Sequence, residues 1–119
     1  MVISIDNKEY GLHFGIAFLR ELDKKRYYEQ NGARVGAGLE LIGVELLGGS
    51  YVALSEIIQA ALCTESNRPT AADIDRNLEM LSEKEIDKLL DEVISTLKKS
   101  PMCAKKIKVM EKAIKEAQA

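Results

Sequence analysis

Few residues in this chain are of types that do chemistry, and their spacing is what decides how to read them. His13 is the only histidine. It stands at an alternating position in a short apolar-polar stretch, with no serine or cysteine pattern nearby, so it reads as a strand residue rather than a general base. Cys63 and Cys103 are 40 residues apart and lack the paired Cys or Cys/His spacing of a zinc site. With no secretory signal before them, they read as reduced thiols of a cytosolic protein. Gly36-Ala37-Gly38 begins a dinucleotide-type glycine pattern, but Leu41 occupies the third glycine's place and no Gly-Lys-Ser/Thr follows. Asp73, Asp75 and Glu79 gather near an expected helix start, where the helix dipole favours anions, and no spacing fits a calcium loop. Nothing here builds a catalytic, cofactor or metal site, and the expectation is a protein that is not an enzyme.

The elements that carry these residues are mostly helical. The chain has 119 residues, 46% of them apolar and 30% charged, which suits one domain with a core of Leu, Ile, Val and Ala. No apolar run reaches the roughly 18 residues of a membrane span. Residues 2–14 alternate with period two around Asp6-Asn7-Lys8, predicting a hairpin. Gly15 releases the chain into a helix predicted over about 16–30, stopped by Asn31-Gly32. Six of the eight glycines lie between Gly32 and Gly49. A short helix over 38–47 is expected there, with Gly36, Gly38 and Gly43 as packing or hinge positions, since an internal glycine costs about 1 kcal/mol against alanine. Ser50 caps a helix over 51–62 that should be central. Thr70-Ala71-Ala72-Asp73 and Ser82-Glu83-Lys84-Glu85 read as capping boxes opening two more. Ser100-Pro101 starts the last helix, about 101–117. The fold class is therefore mainly α with a small N-terminal β-hairpin, a bundle of about five to six helices in one domain. Its predicted core includes Phe14, Phe18, Leu19, Leu22, Leu54, Ile57 and Ile58.

Charge is unevenly spread. From Pro101 onward, five lysines face two glutamates, a balance of +3, whereas the preceding residues hold 12 basic and 17 acidic groups, a balance of −5. On the last helix, Cys103, Ile107, Met110, Ile114 and Ala117 recur at spacings of 4, 3, 4 and 3, a narrow apolar seam. Such a seam either docks on the chain's own body or is offered to a partner. Cys103, Ile107, Met110 and Ile114 are the candidate partner-binding residues on the second reading. The lysines suit a solvated face or an acidic partner, but the helix has neither aromatics nor arginine for nucleic acid.

The order and spacing of several segments resemble a known family. Ile5-Asp6-Asn7-Lys8-Glu9-Tyr10, then Phe14-Gly15 and Phe18-Leu19-Arg20-Glu21-Leu22-Asp23, are similar to the N-terminal pattern of tail assembly chaperones from long-tailed phages and prophages of Gram-positive bacteria. The likeness continues through Gly36-Ala37-Gly38-Leu39, Ala53-Leu54 with Ile57-Ile58-Gln59-Ala60-Ala61, and Pro69-Thr70 with Asp73-Ile74-Asp75. Asn7 departs from it, standing where a turn glycine is expected. The resemblance implies a protein of the bacterial host cytoplasm that binds the tape measure protein. It would keep that protein soluble while the tail tube polymerises, and be absent from the finished virion. A frameshift-extended form would recruit tail tube protein, and self-association into a homo-oligomer is compatible with the role. The competing reading is a small DNA-associated regulator or adaptor.

Overall fold

Tight turns and helix caps divide the chain into ten elements. In the computed structural model, which describes residues 1–118, these are β1 (Val2–Ile5), β2 (Lys8–Gly11), α1 (Ile16–Lys25), β3 (Tyr27–Gln30), β4 (Ala33–Gly36), α2 (Gly38–Leu47), α3 (Tyr51–Ala61), α4 (Ala71–Glu79), α5 (Glu83–Lys99) and α6 (Ala104–Gln118). The fold is mainly helical with an N-terminal hairpin first, as the patterning predicts.

Asp6 and Asn7, at φ 51° and 65°, make the two-residue turn joining β1 to β2. Both central residues are left-handed, the geometry that matches the twist of paired strands. Ile3 and Ile5 turn inward from β1 while Val2 and Ser4 face outward. The turn is held on α4: the Asp6 amide donates to Asn77 Oδ1 at 3.0 Å, Asn77 Nδ2 returns a bond to Asp6 Oδ1 at 2.9 Å, and Arg76 Nη2 reaches Asp6 Oδ2 at 2.8 Å.

The first helix is shorter than the predicted 16–30. It ends at Lys25, and residues 27–36 form a second antiparallel hairpin. Asn31-Gly32 is its turn, at φ 53° and 78°, rather than a helix C-cap. The left-handed conformation serves either purpose, and Tyr27-Tyr28 has the aromatic preference for strands that decides between them. This hairpin is exposed on nearly every residue, with the Arg34 guanidinium 4.2 Å from the centre of the Tyr27 ring.

α3 lies at the centre, packed against α1, α2 and α4. Ser50 Oγ caps it by accepting from the Ala53 amide at 3.1 Å. Leu54, Ile57 and Ile58 are fully covered, as are Phe18 and Leu22 from α1. Each such side chain contributes about 1.5–3 kcal/mol by leaving water. Phe14 meets Phe18 edge to face at 5.1 Å, while Leu19 is only partly buried. Both capping boxes close reciprocally, Thr70 with Asp73 and Ser82 with Glu85. α6 begins at Ala104 rather than at Pro101: residues 101–103 form a turn in which the Ser100 carbonyl accepts from the Cys103 and Ala104 amides at 2.9 and 2.8 Å.

Candidate protein-docking surfaces

The apolar seam of α6 faces the chain's own body. Cys103 and Ile107 are 1% and 0% exposed, and Met110 is packed onto the core beside them. As partner contacts, Cys103 and Ile107 would have to leave that core. Ile114 is half-buried and lines a shallow cleft with Leu47 and Ile94. Two ion pairs hold the helix down: Lys98 Nζ lies 2.7 Å from Glu111 Oε2, and Lys106 pairs with Glu40 of α2. Partial burial pushes the Glu40 carboxyl upward, but the Lys106 hydrogen bond and its own backbone bond hold it below the usual value. The Lys98 hydrogen bond lowers Glu111 likewise.

The glycines serve close approach. A β-carbon on Gly38 would stand 2.3 Å from the Leu22 carbonyl carbon, so only glycine lets α2 start against the α1 backbone. The Gly38 amide donates to Asp23 Oδ1 at 3.0 Å, which satisfies an open donor at the start of α2. A β-carbon on Gly36 would meet the same Asp23 side chain. Gly43 leaves room for Met110 and Ile107 of α6.

Two open grooves flank the corner between α4 and α5. The first, of about 520 Å³, lies between β1, α4 and α5 and is lined by Val2, Ile3, Leu78, Met80, Leu81 and Leu89. Met80 at its edge is 75% exposed. The second, of about 640 Å³, lies between α3, α4 and the start of α5; Leu78, Leu81 and Ile86 give it an apolar floor, with Val52 at its edge. Val52 is 68% exposed. Ser55 beneath it is buried, accepts from Gln59 Nε2 at 2.9 Å and donates to Asp75 Oδ1. Tyr51 Oη donates to Asp87 Oδ1 at 2.6 Å across the rim, and that bond raises the phenol above its usual value. Neither groove is legible in the sequence. The signals present are two apolar residues exposed at helix ends, Met80 and Val52, which periodicity alone does not separate from surface scatter.

His13 is exposed, with Nε2 3.5 Å from Glu65 Oε1. Cys63 and Cys103 are free thiols, and burial raises both, Cys103 to about 11. Among the described residues, no group of three or more His, Cys, Asp or Glu side chains is placed to hold a metal ion. No helix among them is long and apolar enough to cross a membrane.

What these elements define is a small, mainly helical protein with two open, partly apolar grooves at the α4–α5 corner. Its family is shown directly. The model of the phage tail assembly chaperone protein, TAC, matches residues 2–112, and the chain belongs to that family. The match covers both hairpins, α1 to α5 and α6 as far as Lys112. No curated protein and no solved structure matches the chain. Membership points to work in protein assembly rather than catalysis.

Proposed function

We propose that the chain binds the tape measure protein of a long-tailed phage in the cytoplasm of its host, and keeps it soluble until the tail tube encloses it. Family membership over residues 2–112 carries this reading. A tape measure protein is a long helical chain whose apolar faces stay uncovered until the tube forms around it. Holding such a client calls for apolar grooves that accept helix faces. The groove between β1, α4 and α5 is of that kind: it is open, its floor is Ile3, Leu78, Leu81 and Leu89, and Val2 and Met80 stand at its mouth. Anchors of a client helix at i, i+3, i+4 and i+7 would lie along this floor. A frameshift-extended form would add recruitment of tail tube protein, and the finished virion would lack the chaperone.

Co-expression with the tape measure protein of the same phage tests the reading. The chain is expected to raise the client's soluble fraction and to copurify with it. Val2→Lys with Met80→Lys, both at exposed positions, is expected to lose that effect while the chain remains folded. Unchanged client solubility with no complex would refute the proposal.

A further inference from the structure

The second groove has a matching surface on the chain itself. Its floor, Leu78, Leu81 and Ile86, is apolar, Val52 stands exposed at its edge, and of the charged residues that line it Glu56, Asp75, Glu79 and Glu83 outnumber the one cation, Lys25. Neither Glu79 nor Glu83 takes part in an ion pair among the described residues. On α6, the face opposite the buried Ile107 carries Lys105, Lys108, Val109 and Lys112, all exposed. Lys105 and Lys108 are likewise outside every ion pair among the described residues, and Lys112 has only Glu116, at 4.0 Å with both groups well exposed. Val109 is 61% exposed beside them.

We infer that the outward face of α6 docks into the α3–α4–α5 groove of a second copy of this chain. Val109 would pack against Val52 and Ile86 while Lys105 and Lys108 meet Glu79 and Glu83. The acidic body and the basic last helix, −5 against +3, are then two halves of one contact. The opposed charges steer the copies together and fix their orientation. Groove and α6 face are different patches of the same molecule, so the contact is heterologous: each copy offers a free groove at one end and a free helix at the other. Such contacts repeat into rings or open helical chains instead of stopping at a dimer. A single helix in an open groove is a small, polar interface, so association is concentration-dependent and weakened by salt.

Sedimentation velocity on the purified chain alone tests this without any tail protein, so its outcome is separate from that of tape measure binding. In low salt the weight-average mass is expected to rise with concentration beyond a dimer, and roughly half-molar sodium chloride is expected to weaken association by at least about tenfold. Glu79→Lys with Glu83→Lys, and separately Lys105→Glu with Lys108→Glu, should each give monomers with wild-type circular dichroism. Mixing the two variants restores opposite charges at every junction and should restore the large species. A wild-type chain that stays monomeric at all concentrations would overturn the inference, as would association that survives either reversal or fails to return on mixing. Salt-sensitive retention on duplex DNA, lost with Lys105→Glu and Lys108→Glu while self-association is unchanged, would assign the lysine face to nucleic acid instead.

Discussion

The terminal methyl of Met110 stands 2.8 Å from the point that a β-carbon on Gly43 would occupy, and Ile107 Cδ1 stands 3.4 Å from it. Gly43, in the middle of the unbroken α2, is thus the seat on which α6 rests. This contact orients the last helix, turning its seam inward and its lysines outward.

Two glycine replacements should therefore behave differently. At Gly43 the added carbon meets the flexible end of Met110, and alanine regains about 1 kcal/mol of helix propensity, so Gly43→Ala is expected to leave the unfolding midpoint nearly unchanged. At Gly38 it meets the Leu22 carbonyl carbon at 2.3 Å, which cannot move aside alone. Gly38→Ala is expected to cost about 1–3 kcal/mol, in the range of core overpacking. Thermal unfolding followed by circular dichroism reads both.

Ile107→Asp places a carboxylate in the contact between α2 and α6. Ile107 is fully buried, so the variant is expected to unfold globally or to lose about 3 kcal/mol or more. Urea titration measures this. A stable variant would mean that α6 is not part of the core.

Stability should fall in acid, and the groups responsible are identifiable. Asn77 and Arg76 hydrogen bonds lower Asp6, the Thr70 backbone and Arg76 lower Asp73, and Ser82 lowers Glu85. Because these carboxyls titrate lower in the folded chain, their stabilisation is present above the unfolded values, near 3.8 for Asp and 4.5 for Glu, and is lost as pH falls through the folded ones. The unfolding midpoint is expected to be lower at pH 3 than at pH 6. Asp6→Asn, which keeps the left-handed turn, should narrow that difference.

The two thiols should differ in reactivity. Cys103 is 1% exposed, its Sγ lies 3.9 Å from the Phe14 carbonyl oxygen, and burial raises it to about 11, so it stays protonated and unreachable at neutral pH. Cys63 is half-buried. A thiol reagent is expected to modify Cys63 slowly in the native chain, and Cys103 only after denaturation, as mass spectrometry of the peptides would show.

Capping and turn chemistry made much of this fold legible. Ser50, Thr70, Ser82 and the Asp6-Asn7 turn each act through their own side chain or backbone, so a few neighbouring residues determine them. The β3–β4 hairpin reads as the end of a helix in sequence because Asn31-Gly32 satisfies two local geometries and only Tyr27-Tyr28 tips the balance. The outward or inward sense of the α6 seam was not legible at all. It is set by packing between α6 and α2, where Met110 and Ile107 meet Gly43 from 60 or more residues away in the chain. The grooves were illegible for a similar reason: each is shared among three elements, and none of the three shows a deficit by itself.

The proposal that the tape measure protein binds at the α4–α5 corner is tested most directly by hydrogen–deuterium exchange on the chain alone and with the tape measure protein. New protection confined to β1, α4 and the first half of α5 is the predicted result, lost when Val2 and Met80 are both replaced by lysine. A stable complex with no added protection in those elements, or no complex at all, would contradict the account.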